Sequence, residues 1–437
     1  MKSLLLAYPT EKRLFEQPPL GLMYLSAIAK KRGWSVMLIE GSGERLENEL
    51  RMQKVNGFKP DIVGVTCMTP HMWVAKRVMS ITREIWRNAL IVVGGPHATI
   101  MPQTFEKDAD VIVQGEGERA FDGLLAGYEN GISLPKMMSA SPIEDLDTVP
   151  FPDRTILNPK YFAGHRTTLI ASRGCPFNCS FCQPTLRKIF GNKVRWRSPD
   201  NVIKEMIECE RDYKIRHFEF MDDTFTANKK WAKEFCSLKM ASSLKSDFVI
   251  LTRVNVVDEE VLKMLKDAGM IKICFGLESG SQKILDSLNK GVTIEQIKEA
   301  FVVCRKLHIK THAFIMIGSI GETEETLKET RRLIKEVKPD TIYASITTPL
   351  PETYMYYQCI KEGRVNPEDV LKEMDYYRNP IMKVDGFSRE QIVKVRTSML
   401  RNFMMKKLLN PLNTARHVKK NGWRSTFELA KNLFGGD

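Results

Sequence analysis

No apolar run in these 437 residues approaches the roughly 20 residues that a membrane-crossing helix needs, so no membrane span is expected. The opening stretch, Met1-Lys2-Ser3-Leu4-Leu5-Leu6-Ala7-Tyr8-Pro9, is charged and then apolar. The run is brief and Pro9 ends it, which predicts a first buried strand rather than a signal peptide. The nine cysteines show no even spacing, so no disulfide framework is indicated and a reducing cytoplasm is expected. No second group of three close cysteines is present beyond the one described below. Acidic residues are the scarcer charge, 53 against 66 Lys and Arg, for a net charge of +13. Such an excess favours anionic partners, nucleic acid or anionic lipid. It is concentrated at the end, where Arg401 to Asp437 holds eight basic residues against two acidic ones. With 43% hydrophobic and 27% charged residues, the composition is that of a soluble globular protein of two or three domains.

Cys175, Cys179 and Cys182 form a C-x3-C-x2-C run just after a stretch, Thr167-Thr168-Leu169-Ile170-Ala171, that reads as a buried strand. Thiolates suit iron-sulfur clusters and zinc. A closed structural zinc site takes four ligands, and no fourth Cys or His follows nearby. The triplet alone leaves structural zinc, or three unrelated buried thiols, open beside a cluster. On a cubane cluster, three thiolates would leave one iron free for an outside ligand.

This run resembles the cluster motif of the radical S-adenosylmethionine (SAM) superfamily, and Phe181, the aromatic residue before the last cysteine, fits the same pattern. The resemblance implies a 4Fe-4S cluster on the three cysteines, with SAM chelating the open iron. The remaining cysteines fall mostly in apolar patterns and read as small buried hydrophobes.

Residues 1 to about 130 alternate strand and helix. Short runs rich in Val, Ile and Leu recur at Leu4–Ala7, Ser35–Ile39, Asp61–Val65, Leu90–Val93 and Asp110–Val113, as in a parallel sheet covered on both faces. They predict a doubly wound, five-stranded, Rossmann-like domain with its ligand at the carboxyl ends of the strands. Those ends read Thr66-Cys67-Met68-Thr69, Gly94-Gly95-Pro96-His97 and Gly115-Glu116-Gly117-Glu118. In this order, and ahead of the cysteine motif, they resemble the cobalamin-binding domain of cobalamin-dependent radical SAM enzymes, and Pro18-Pro19-Leu20-Gly21 fits the same pattern. The resemblance implies corrinoid contacts from Thr66, Met68, Thr69, Gly94, Gly95, His97, Gly115, Glu116, Gly117 and Glu118. None of the seven histidines has Asp two residues before it, so the Asp-x-His-x-x-Gly motif of other cobalamin proteins is absent. His97 accordingly reads as a loop hydrogen bonder rather than a cobalt ligand.

A Pro-punctuated connection follows, and strand candidates then recur every 30 to 40 residues or so to about 345, with amphipathic helices between them. Six such units would make the partial (β/α)6 TIM-type barrel of the radical SAM family. The expected domains are 1–135 (cobalamin-binding), 136–165 (linker), 166–358 (radical SAM barrel) and 359–437 (a helical, basic C-terminal region). Barrel chemistry sits at the carboxyl ends of the strands. There the resemblance assigns Asp222 and Asp223 to the SAM ammonium, Arg253 to a carboxylate, Glu278 and Ser279 to ribose or carboxylate, and Gly318 with Gly321-Glu322-Thr323 to adenine. Helix capping by Asp223 or Thr224, and a surface ion pair for Arg253, are the plainer alternatives. No residue is assigned a catalytic proton-transfer role. Glu352 stands where many relatives have Gly, and its role stays open between substrate contact and a solvated surface.

The function this implies is a cobalamin-dependent radical SAM methyltransferase. SAM cleavage to a 5′-deoxyadenosyl radical would open an unactivated C–H bond, and methylcobalamin would supply the methyl group. A cyclase or rearrangement enzyme is the alternative within the family; a non-catalytic cobalamin- or RNA-binding protein is the alternative outside it, with nucleic acid the less favoured partner. Expected partners are a small-molecule or lipid substrate and an external electron donor such as flavodoxin or ferredoxin. The tail offers Met399, Leu400, Phe403 and Met404, then Trp423, Phe427 and Phe434, among basic residues. It reads as a helical cap over the barrel or as a peripheral contact with the anionic inner membrane surface.

Overall fold

The computed structural model describes residues 1–10, 17–372 and 379–408. Its first six strands are β1 (Ser3–Pro9), β2 (Ser35–Gly41), β3 (Ile62–Thr66), β4 (Leu90–Gly94), β5 (Val111–Gln114) and β6 (Met137–Ser139). They form one sheet in the order β2-β1-β3-β4-β5-β6, all pairs parallel. The apolar runs announce five strands. The sixth is a three-residue edge with two exposed positions, and it lacks the buried apolar run by which the others are read.

Strands apolar on both faces need a helical layer on each. Leu4, Leu6, Val92 and Val113 pack against Leu22, Ala29, Phe121 and Leu124, from helices Leu20–Lys31 and Gly117–Glu129. The alternate residues Leu5, Ala7, Val63, Val65 and Ile91 pack against Leu46, Leu50, Ala75 and Met79, from helices Gly43–Val55 and Met72–Ile85. The strand order reverses between β1 and β3, which is where such sheets leave a crevice at their carboxyl ends.

The second sheet contains β7 (Arg166–Leu169), β10 (His217–Phe220), β11 (Asp247–Thr252), β12 (Met270–Glu278), β13 (Lys310–Ile317) and β14 (Thr341–Ile346). Its order is β14-β13-β12-β11-β10-β7, again all parallel, an open arc with the topology of a half barrel. Between β7 and β10 lies a small antiparallel ribbon of β8 (Ser172–Arg173) and β9 (Arg195–Trp196). The ribbon closes a loop that carries all three motif cysteines.

The connection between the two sheets is fixed to the second of them by buried charge. Arg154, 1% exposed, donates to Glu205 at 2.6 Å, and Arg197 reaches the other oxygen of the same carboxylate at 2.5 Å. The C-terminal helix Arg389–Leu408 lies on β14, burying Ile392 and Met399 with Leu400 and Phe403 against the same cluster, and Arg396 donates to the Ala344 carbonyl at 2.7 Å. Those apolar tail residues therefore cover the barrel. The tail residues Trp423, Phe427 and Phe434 lie outside the described residues. No helix among the described residues is long and apolar enough to cross a membrane.

Candidate active site

At the crevice of the first sheet is a cavity of about 350 Å³. Its wall is mostly apolar: Leu6, Leu22, Tyr24, Val65, Val113 and Phe121 contribute from the first sheet and its helices. Of the candidate corrinoid contacts, Thr66, Met68, Gly94, Gly95, Gly115, Glu116, Gly117 and Glu118 line it. Gly95 has φ +93°, and a methyl group there would stand 2.7 Å from Thr66 Oγ1. The turn after β4 is therefore closed to side chains and presents backbone.

Thr69 and His97 are not on this wall. They pair with each other at 3.1 Å between His97 Nδ1 and Thr69 Oγ1, and His97 is fully buried, edge-on to Phe105. Burial, and then the Lys76 charge, lower its pKa to about 4, so the ring is neutral. Its Nε2 has no hydrogen-bond partner.

The cysteine loop sits across the strand ends of the second sheet. Ser180 N donates to the Leu288 carbonyl at 2.9 Å and Asn289 Nδ2 to the Asn178 carbonyl at 2.7 Å, clamping the loop to the turn after the short helix Gln282–Ser287 that follows β12. Cys179 is buried, Cys175 half-buried and Cys182 exposed. Cys179, Glu278, Asp223 and Lys290 are the charged or ionisable groups around the Cys182 thiol. A group both exposed and surrounded by these charges lies on the wall of an open bowl. Burial raises Cys175, whose Sγ lies 3.6 Å from Thr224 Oγ1.

Parallel register brings the candidate SAM residues to the same rim, because each follows the carboxyl end of its strand. After β10, Asp222 is 1% exposed and accepts from Ala171 N and Ser172 Oγ. It stitches the rim together, and burial lifts its carboxyl to about 6 against those hydrogen bonds. Asp223 beside it is exposed to the bowl. After β11, Arg253 lies over the Phe177 ring at 3.8 Å and donates to Cys179 Sγ at 3.1 Å and to the Lys290 carbonyl.

At the end of β12, Glu278 adopts φ +62° and accepts from Lys290 Nζ at 2.7 Å. The Lys290 ammonium also stands 5.7 Å from the Phe181 ring. Ser279 turns away from the rim, with its hydroxyl 3.1 Å from Thr330 Oγ1. After β13, Gly318 N donates to Glu322 Oε2, as does Ser319 N at 3.2 Å. Glu322 is 1% exposed, its Oε1 has no partner, and burial raises it to about 7.

Three charged residues absent from the sequence reading belong to this architecture. Lys290 lies twelve residues past Glu278, in a polar turn that nothing local distinguishes. Arg173 and Arg195, the ribbon arginines, bind Glu116 and Glu118 on the cavity wall.

The donor chemistry fits the groups the motifs imply. All nine cysteines are free thiols, and three share one loop at the bowl. Among the described residues no three His, Cys, Asp or Glu side chains converge closely enough to hold a metal ion, so the match lies in the donor set. The bowl offers a carboxylate for an ammonium, guanidinium and ammonium groups for a carboxylate, and an unpartnered buried oxygen on Glu322. The first cavity offers a wide apolar wall floored by glycine backbone.

Comparison with known proteins bears on both regions. A model described as the radical SAM superfamily matches residues 169–334, and one described as the B12 binding domain matches residues 10–125. An uncharacterised methyltransferase of Pyrococcus horikoshii is 32% identical over 424 residues, 90% of this chain and 90% of its own length. The anaerobic magnesium-protoporphyrin IX monomethyl ester cyclase of Cereibacter sphaeroides is 32% identical over 426 residues, 90% of this chain and 68% of its own. The structure of OxsB, a cobalamin-dependent S-adenosylmethionine radical enzyme, superposes with a TM-score of 0.74 at 18% identity, covering all of this chain and 74% of that one.

Proposed function

Because this chain belongs to the cobalamin-dependent radical SAM enzymes, whose cofactors are a 4Fe-4S cluster, SAM and cobalamin, we propose that it methylates an unactivated carbon of a hydrophobic small molecule. The observation that carries this reading is the shared wall between the two regions. Ile170, Arg173, Ile189 and Phe190, which precede or belong to the cysteine loop, also line the apolar cavity of the first sheet.

When bound, SAM and the corrinoid supply hydrogen abstraction and the methyl group respectively. The chain's own residues bind, orient and exclude water. Cys175, Cys179 and Cys182 hold the cluster. Asp223 takes the SAM ammonium, while Arg253, helped by Lys290, takes its carboxylate as a charge-assisted fork. Asp222 acts through the backbone it fixes, holding Ala171 and Ser172 at the root of the cysteine loop. Gly318 and Glu322 face the adenine. The apolar wall keeps water from a reactive centre. It also favours a hydrophobic substrate, of which a lipid is one kind. A flavodoxin- or ferredoxin-type protein is the proposed electron donor.

One observation favours a second reading, ring closure or rearrangement without net methyl gain: the Cereibacter relative is a cyclase and aligns over 90% of this chain. Incubation with methyl-labelled SAM, hydroxocobalamin, a reductant and a hydrophobic metabolite extract separates the two. Label in a product heavier by one CH2 supports methylation. An unlabelled new product supports ring closure. Absence of SAM cleavage under reduction overturns both.

A further inference from the structure

All three cysteines lie in one loop whose base is the ribbon of β8 and β9, and Arg173 and Arg195 face each other across that ribbon. Both guanidiniums leave their own sheet and end on the turn after β5 and on the first turn of the helix that follows it. Arg173 donates to Glu118 at 2.5 Å and stands 3.3 Å from Glu116; Arg195 grips both oxygens of Glu116. Arg195 also donates to the Phe190 and Ile143 carbonyls, each at 2.6 Å. The four side chains are at most 10% exposed. Glu116, Glu118, Arg173 and Phe190 are at the same time wall residues of the apolar cavity.

The base of the cysteine loop is thus anchored on the cavity wall by buried, forked ion pairs. Such pairs tolerate little displacement, because a separated partner is left as an unpaired buried charge. A ligand that fixes the turn fixes the ribbon, and a metal cluster that fixes the loop fixes the turn.

We propose that Arg173 and Arg195, acting on Glu116 and Glu118, are positioning residues that couple the two cofactor sites, so that a corrinoid in the cavity and a cluster on the loop tighten each other's binding. This rests on the cofactor placement proposed above. By linkage the effect is reciprocal.

The test measures hydroxocobalamin affinity by anaerobic equilibrium dialysis on the full chain, with the cluster reconstituted and with it removed. Wild type, Glu118→Gln and Arg173→Lys are compared, with iron per chain recorded for each. Glu118→Gln keeps an acceptor but removes the charge; Arg173→Lys keeps the charge but removes the fork. Cluster loading is expected to tighten wild-type binding by about fivefold or more. In both variants the ratio should fall towards one while iron is retained. The electron paramagnetic resonance signal of the reduced cluster should respond to hydroxocobalamin in wild type and not in the variants. A wild-type ratio of one overturns the inference, as does an undiminished ratio in either iron-loaded variant. If wild type binds no hydroxocobalamin in either state, the proposed function falls as well, which distinguishes the two failures.

Discussion

Lys290 Nζ donates to Glu278 Oε1 at 2.7 Å, and both side chains stand over the bare Cα of Gly276. With 6% and 9% of the side chains exposed, the pair is buried between the cysteine loop and the strand ends. Removing one partner of such a pair typically costs about 3–5 kcal/mol, because the other is left charged and dry. The arrangement gives the Gly-Leu-Glu-Ser-Gly sequence a physical reason: a strand that ends in a carboxylate folded back on itself needs no side chain two residues earlier.

Gly276→Ala should disturb the bowl without destroying the barrel. The new methyl would stand 2.5 Å from Glu278 Oε1 and 2.8 Å from Lys290 Nζ, both ends of flexible side chains that can yield. We expect a stability loss of about 1–3 kcal/mol in urea titration. SAM affinity should fall by about tenfold or more, equivalent to about 1.4 kcal/mol or more. Wild-type affinity in the variant would remove Glu278 and Lys290 from the SAM site.

The glycine pair at the end of β4 should divide sharply. At Gly94 a methyl would meet only ordinary contacts, the nearest at 3.6 Å, whereas at Gly95 it meets Thr66 Oγ1 at 2.7 Å with φ at +93°. Gly95→Ala should therefore cost about 2–4 kcal/mol and Gly94→Ala about 1 kcal/mol or less. Hydroxocobalamin binding should drop in the Gly95 variant at temperatures where circular dichroism shows it folded. Equal losses in the two variants would contradict the turn geometry.

Glu322 predicts the direction of a pH effect. Its carboxyl is raised from 4.5 to about 7, by burial first, against the Gly318 and Ser319 amides and the Arg331 charge. Below pH 4.5 the folded and unfolded chains both hold the proton. Between 4.5 and 7 the unfolded chain releases it while the folded chain keeps it, so stability falls as pH rises. The loss is complete above about pH 7 and amounts to about 3 kcal/mol at most. Urea midpoints for Glu322→Gln should show a flatter fall from pH 5 to 8 than wild type. The Asp222 contribution, of the same sign at lower pH, should remain in both. A parallel pair of curves would mean that Glu322 is ionised in the folded protein.

Much of this was legible in the sequence because parallel strands buried on both faces leave continuous apolar runs, and the chemistry of such sheets gathers where those runs stop. The resemblance assigns Asp222, Asp223, Arg253 and Glu278, and each stands at or just beyond a strand end. The strand before the cysteines, expected over Thr167–Ala171, runs over Arg166–Leu169, and its polar residues pair with β10. β6 escaped notice because an exposed edge needs no hydrophobic pattern. Lys290, Arg173 and Arg195 were not legible, because what gives each its place is a partner elsewhere in the chain; Glu116 and Arg195 are 79 residues apart. His97 reads from the sequence as a loop hydrogen bonder, and in the structure it is fully buried and paired with Thr69.

The central claim is that three sulfurs on one loop carry a cluster with an open iron, and Mössbauer spectroscopy of the anaerobically reconstituted full chain tests it most directly. The account predicts a 4Fe-4S spectrum in which one iron changes environment when SAM is added, and its loss, together with SAM cleavage, in Cys179→Ala. Zinc in place of iron, or a Cys179→Ala protein that keeps the spectrum and still cleaves SAM, would contradict it.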